Sequence, residues 1–221
     1  MRAFLFDLDG TLVDTLEDIA AACNGMLHQL GFAQHPVAAY RHFVGNGFTV
    51  MIQKALPAGI AAQSSTEQIE RYVALARSLY AACYLQQSRP YPQVHESLRE
   101  LARRGALLGV LSNKPQPQTA GLVAALFPDI PFFAVRGAVA GVPLKPDPTA
   151  ALDLLQQAGI APQHCAFVGD SAVDIHTALA AGLCPVGVSW GFRGLQEVLD
   201  AGAQHCVHCA SQWLDLYTEA K

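Results

Sequence analysis

Short apolar runs that end abruptly in polar residues recur along the chain. Ala3–Phe6 ends in Asp7-Leu8-Asp9-Gly10-Thr11, Leu107–Leu111 in Ser112-Asn113-Lys114, Cys165–Val168 in Gly169-Asp170-Ser171, and Pro185–Val188 in Ser189. Runs this short and apolar throughout predict strands buried on both faces. Between and beside them, Val94–Arg104, Gln118–Leu126, Pro148–Ala158 and Val173–Ala181 carry apolar residues at three- and four-residue intervals, the period of a helix with one buried face. Strand alternating with helix predicts a parallel sheet covered on both sides. Ligands of such sheets bind outside the carboxyl ends of the strands, which is where all of these polar signatures emerge.

From the first strand to Pro90 the pattern changes. It holds no strand-like run, only long helical stretches such as Leu16–Leu30 and Glu67–Leu85. The chain is therefore expected to be α/β: a Rossmann-like doubly wound parallel sheet formed by residues 1–14 and 90–221, with a helical cap domain inserted over residues 15–89. Pro90-Tyr91-Pro92 marks the return to the sheet, because proline does not continue a preceding helix.

Composition narrows the partners. With 221 residues, 52% of them hydrophobic and 14% charged, the chain can bury a substantial core. A net charge of -4 with scattered Lys and Arg provides no basic surface for a nucleic-acid backbone. No apolar stretch approaches the roughly 20 residues of a membrane span, and the apolar start Ala3–Phe6 is too short for a signal peptide. A cytoplasmic protein with reduced cysteines is expected, bound to neither nucleic acid nor membrane; whether it is a monomer or a homodimer is not legible. Cys206-Val207-His208-Cys209 has one half of a zinc-site spacing but lacks the other, so it is set aside.

The chemistry lies in the strand-end signatures. Asp7 and Asp9 stand two apart after the first strand, Gly10 permits an unusual turn, and Thr11 adds a hydroxyl. Paired carboxylates can chelate a hard cation, and magnesium demands the further oxygens that Asp170 and Asp174 bring from a later strand tip. Four crowded carboxylates repel one another without a cation or a lysine. Lys145, between Leu144 and Pro146, can be that lysine, while Ser112, Asn113 and Lys114 offer hydroxyl, amide and ammonium groups suited to phosphoryl oxygens. Each piece alone is a common turn, loop or helix entry. Their joint occurrence, in this order and at strand ends, is what points to a site.

These residues resemble the four motifs of the haloacid dehalogenase superfamily, and most closely those of its phosphoglycolate phosphatase branch. The matching stretches are Asp7-Leu8-Asp9-Gly10-Thr11-Leu12-Val13-Asp14-Thr15, Ser112-Asn113-Lys114, Lys145-Pro146, and Gly169-Asp170-Ser171-Ala172-Val173-Asp174 with Ala180-Ala181-Gly182 after it. The resemblance implies a phosphatase of small phosphorylated metabolites in which Asp7 attacks phosphorus and Asp9 acts as general acid and then base. It also implies Mg2+ held by Asp7, the Asp9 backbone carbonyl and Asp170, with Asp174 beside it, and phosphoryl oxygens held by Ser112, Asn113 and Lys145. Thr11 and Lys114 are counted with the substrate-binding residues. Val44-Gly45-Asn46-Gly47-Phe48 resembles the family's substrate-facing cap loop, so Gly45 and, a few residues on, Lys54 are candidates for the organic end of the substrate; Arg41 shares that ambiguity with an ordinary exposed cation.

Other readings stay open at this stage. A phosphosugar mutase shares all four motifs. A phosphonate-cleaving hydrolase would use a cap lysine, for which Lys54 is available. A halide-removing hydrolase would lack Asp9 and Asp170, and a non-catalytic relative should have lost one of Asp7, Asp9, Lys145 or Asp170; all four are present. The substrate is expected to be phosphoglycolate or a sugar phosphate, with no residue that measures the leaving group.

Overall fold

The computed structural model describes residues 1–218. In chain order its elements are β1 (Ala3–Phe6), β2 (Val13–Asp14), α1 (Leu16–Gln29), α2 (Phe48–Ala55), α3 (Ala58–Gln63), α4 (Thr66–Cys83) and β3 (Arg89–Pro90). Then follow α5 (Val94–Arg103), β4 (Leu107–Pro115), α6 (Gln116–Leu126), β5 (Phe132–Ala138) and α7 (Thr149–Gln157). The chain ends with β6 (Cys165–Gly169), α8 (Ala172–Ala181), β7 (Cys184–Val188), α9 (Leu195–Asp200), β8 (His205–Val207) and α10 (Trp213–Leu216). Contacts divide it into two compact units, one of Met1–Asp14 with the chain from Pro90 onward, the other Thr15–Arg89.

The first unit is built on a six-stranded sheet of order β5-β4-β1-β6-β7-β8 in which every adjacent pair is parallel. This is the doubly wound α/β architecture that the apolar runs predict. β1 is central: Ala3 aligns with Leu107 on one side and with Cys165 on the other. All residues of β1, β6 and β7 are buried, which is why these strands read as unbroken apolar runs. Buried among them, Phe167 joins Leu5 and Leu154 in the core, and its truncation to Ala should cost about 3–5 kcal/mol. The chain builds outward from β1 through β4 and β5, then returns to β6 on the other flank. The connections therefore diverge between β1 and β6 and open a crevice at their carboxyl ends.

Four strands have no counterpart in the apolar runs: β2 and β3, two residues each, which pair with one another in the stretch from the first strand to Pro90 that was expected to hold none, and, in the main sheet, β5 and β8. β5 is an edge strand whose pairing with β4 shifts register, it is half-exposed for most of its length, and it carries Arg136, so its pattern is not a buried run. β8 has three residues, His205-Cys206-Val207, and no periodicity can be read from three. The Ser112-Asn113-Lys114 signature also lies within β4 rather than beyond it, because pairing with β5 persists to Pro115 opposite Ala138.

The second unit is helical. α1 and α4 form its frame, with Ile19, Cys23 and Met26 buried on the first helix and Ile69, Val73, Ala76 and Tyr80 on the second. Ser65 caps α4 by accepting a hydrogen bond from the Gln68 amide at 3.2 Å. The buried Asp18 carboxylate of α1 accepts from the Ser88 amide and hydroxyl, both at 2.8 Å, and from the Gln87 amide, tying the end of the unit to its beginning. Among the described residues no helix is long and apolar enough to cross a membrane.

Candidate active site

Asp7 is the first residue past β1, and its amide still donates to the Val168 carbonyl of β6 at 2.9 Å. The chain then folds back at once: the amides of Leu12 and Val13 both donate to the Leu8 carbonyl at 3.0 Å. Gly10 makes this turn with φ +86°, a region costly for any residue with a side chain, and a Cβ there would collide with the Asp170 carboxylate. Both Asp7 and Asp9 are thereby held at the same strand tip, and both are buried.

Lys145 reaches the cluster from the loop between β5 and α7. Its main chain is clamped by Asn113: the Lys145 amide donates to Asn113 Oδ1 at 2.8 Å and Asn113 Nδ2 donates to the Lys145 carbonyl at 2.9 Å. So fixed, the ammonium donates to Asp7 Oδ1 at 2.8 Å and to Asp174 Oδ1 at 2.7 Å, and lies 5.3 Å from the centre of the Phe167 ring. Asp174 Oδ2 closes a capping box at the start of α8, accepting from the Ser171 amide at 3.1 Å and hydroxyl at 2.7 Å. Asp170 Oδ2 accepts from the Phe192 amide at 2.6 Å.

A second buried ion pair stands apart from the first. Lys114 Nζ donates to Asp9 Oδ1 at 2.7 Å, so this lysine is committed to a protein carboxylate. Ser112 Oγ accepts from the Lys114 amide at 3.3 Å. Thr11 is fully buried; its carbonyl accepts from Trp190 Nε1 at 3.1 Å, and its hydroxyl makes no hydrogen bond among the described residues.

Ligand oxygens of Asp7, Asp170 and Asp174 all fall within 4.8 Å of one another, a group able to hold a metal ion. Burial pushes the Asp7 carboxyl up to about 7; Lys145 opposes that rise, and Asp174 and Asp9 add to it. Burial likewise raises Asp170 well above the carboxylate range, reinforced by Asp174 and Asp7. Burial works to lower the Lys145 ammonium, but Asp174 and Asp7 overcome it and the net shift is upward. Four carboxylates face only two ammonium groups, so with all ionised the cluster carries two uncompensated negative charges. An all-oxygen donor set with that deficit fits a hard divalent cation.

A model of the haloacid dehalogenase-like hydrolases matches residues 1–182. The chain belongs to this family. Among family members, the phosphoglycolate phosphatase of Pseudomonas putida strain KT2440 is 37% identical over 193 residues, 87% of this chain and 71% of that protein. The phosphoglycolate phosphatase of Colwellia psychrerythraea strain 34H is 32% identical over 207 residues, 93% of this chain and 92% of that one. The crystal structure of a predicted phosphoglycolate phosphatase from Haemophilus somnus superposes with a TM-score of 0.89 at 27% identity, over 98% of this chain and 97% of the other.

Within this family member the first unit brings together Asp7, Asp9, Asn113, Lys114, Lys145, Asp170 and Asp174 through the contacts above. Gly45 and Lys54 lie in the helical unit. Gly45, with φ +118°, is in the loop before α2, and Lys54 in its last turn donates to the His42 carbonyl at 3.1 Å. The family resemblance places Trp190-Gly191-Phe192 on a loop near the active-site rim, where a supporting contact is expected; that its partners are Thr11 and Asp170 was not assigned from sequence. The loop's signal was positional: Trp190-Gly191-Phe192 closely follows the carboxyl end of β7, on the same rim as the other motifs.

Proposed function

We propose that the chain is a magnesium-dependent phosphoric monoester hydrolase that cleaves small phosphate esters through an aspartyl-phosphate on Asp7. The observation that carries this reading is the position of Asp7: buried at the crevice between β1 and β6, 2.8 Å from Lys145 and within one ligand-atom cluster with Asp170 and Asp174. The names of the relatives from Pseudomonas putida and Colwellia psychrerythraea support phosphoglycolate as substrate, and a small sugar phosphate remains within the same class.

In this reading an Asp7 carboxylate oxygen bonds to phosphorus as the ester P–O bond breaks, and Asp9 gives its proton to the departing oxygen. Water then attacks the phosphorus of the Asp7 phosphate and loses a proton to Asp9 as the Asp7 O–P bond breaks, which restores both carboxyl groups. Lys145 offsets the charge of Asp7 and of the phosphoryl oxygens, and Ser112 and Asn113 position that group beside it. Lys114 orients Asp9 through their ion pair, so its part is assigned to the proton-transfer residue as much as to substrate. Asp7, the Asp9 carbonyl and Asp170 would hold Mg2+, with Asp174, both of whose oxygens are already engaged, next to them. When bound, the cation supplies positive charge against the transferring phosphoryl group.

Residues 15–89 are assigned the role of a cap, with Gly45 and Lys54 given to the organic end of the ester on the strength of family resemblance. A cytoplasmic setting belongs to the same proposal. The deciding experiment measures phosphate release from a panel of monoesters, phosphoglycolate included, with and without Mg2+, for the native chain and Asp7→Asn. Cation-dependent release that Asp7→Asn abolishes is expected; release that persists in Asp7→Asn would overturn the mechanism.

A further inference from the structure

The loop after β7 makes three contacts that converge on the candidate cation site. The Trp190 indole N–H donates to the Thr11 carbonyl at 3.1 Å, which ties the loop to the turn bearing Asp7 and Asp9. The Phe192 amide donates to Asp170 Oδ2 at 2.6 Å. Between them, Gly191 is packed so closely that an added Cβ would lie 2.5 Å from both Asp170 Oδ2 and the Gly10 carbonyl oxygen. One three-residue segment thus bridges the tip of β1 and the tip of β6, the two strands between which the crevice opens.

This bridging has a chemical consequence. With Oδ2 engaged by Phe192, Asp170 keeps Oδ1 as its one oxygen without a hydrogen bond among the described residues, so it can meet a cation through a single oxygen in a fixed direction. Two like-charged carboxylates at neighbouring strand tips repel each other, and the loop's contacts to both tips oppose that separation. Trp190 is in turn wedged between aromatic rings, with Tyr91 at 6.4 Å and the buried Trp213 at 5.8 Å between centroids. The indole is therefore anchored by packing, and its hydrogen bond passes that rigidity to the Thr11 carbonyl.

We propose that Trp190, Gly191 and Phe192 are the positioning element of the cation site: they preset Asp170 against the Asp7 turn and so determine cation affinity. This rests on the metal-dependent reading above and extends it to residues outside the family motifs. Partners that orient metal ligands typically change affinity by about 10–100-fold when removed.

The test is calorimetric titration of the cation-free full chain with Mg2+ and, separately, Mn2+, without substrate. Trp190→Phe keeps an aromatic ring and deletes the indole N–H; it should raise the dissociation constant about tenfold, and Gly191→Ala should raise it about a hundredfold. Trp213→Phe keeps an aromatic ring in the same stack and leaves the contacts to Thr11 and Asp170 in place, and should change the constant far less than Trp190→Phe does. Trp213→Phe also leaves Trp190 as the sole indole, so its emission should change on titration. Equal cation affinity in native chain, Trp190→Phe and Gly191→Ala would overturn the inference. So would a Trp190→Phe chain that loses thermal stability as Trp213→Phe does with no change in affinity. If Gly191→Ala does not fold, Trp190→Phe decides alone. Failure of the native chain to bind either cation would instead overturn the metal-dependent reading, and this inference with it.

Discussion

Replacing Lys145 by Met keeps most of the buried stem and removes the ammonium. The ammonium stands 2.8 Å from Asp7 Oδ1 and 2.7 Å from Asp174 Oδ1. At an effective dielectric constant near 20, each contact contributes about 6 kcal/mol of attraction. Much of that offsets the cost of holding three charges away from water, and loss of one partner from such a buried set typically costs about 3–5 kcal/mol. Without a cation, Lys145→Met should therefore unfold at a markedly lower urea concentration. Saturating Mg2+ should restore part of the difference, because it supplies charge to the same carboxylates. For turnover, the lost group faces charge on the transferring phosphoryl unit, a role whose removal typically costs about 100–1,000-fold in rate. The assay is steady-state phosphate release at saturating Mg2+, resolved into kcat and KM. A fall in kcat with little change in KM is expected. A near-normal kcat with a raised KM would refute the assignment, since Lys145 would then serve only ground-state binding.

Asp7→Asn should retain its fold by circular dichroism and lose phosphate release by about 10,000-fold or more, because an amide cannot form the aspartyl-phosphate. Removing the cation with a chelator should abolish release and lower the unfolding temperature; at a concentration a hundredfold above its dissociation constant, Mg2+ should stabilise the fold by about 2.7 kcal/mol, and no thermal shift would count against a cation site. Elsewhere in the sheet unit, Arg99 and then His95 hold the Asp129 carboxyl down to about 2. A depressed carboxyl contributes stability above its unfolded value near 4 and loses it as pH falls toward 2. Asp129→Asn should accordingly lower the melting temperature at pH 7, less so in high salt, and have a much smaller effect near pH 2; an equal effect at both pH values would refute the pairing.

The strands that a sequence reader can see are those the sheet buries on both faces. β1, β6 and β7 admit only apolar side chains, so the parallel α/β core was legible in their composition alone. Edge strands are not constrained in that way: β5 is half-exposed and β8 is three residues long, and neither had a pattern to betray it. The same physics governs the site. Acids and a lysine at strand ends were legible as candidates, because the carboxyl edge of a parallel sheet gathers whatever follows each strand. Which partner each one takes was not. Lys114 engages Asp9, 105 residues away, and Lys145 spans 138 residues to Asp7 and 29 to Asp174. Local context set Lys145 apart as the lysine for the acid cluster, but the capture of Lys114 by Asp9 had no local signal.

By itself, then, the sequence determined the layered parallel sheet, the family and the roster of chemical groups on one rim. Each depends on short-range pattern: burial on both strand faces, helical period, and polar residues at strand ends. Tertiary structure alone decided the pairing of Lys114 with Asp9, the clamp of Asn113 on Lys145, and the bridge of Trp190, Gly191 and Phe192 between Thr11 and Asp170. Those contacts join side chains and amides far apart in the chain, and they follow from strand order and close packing, which local pattern does not encode.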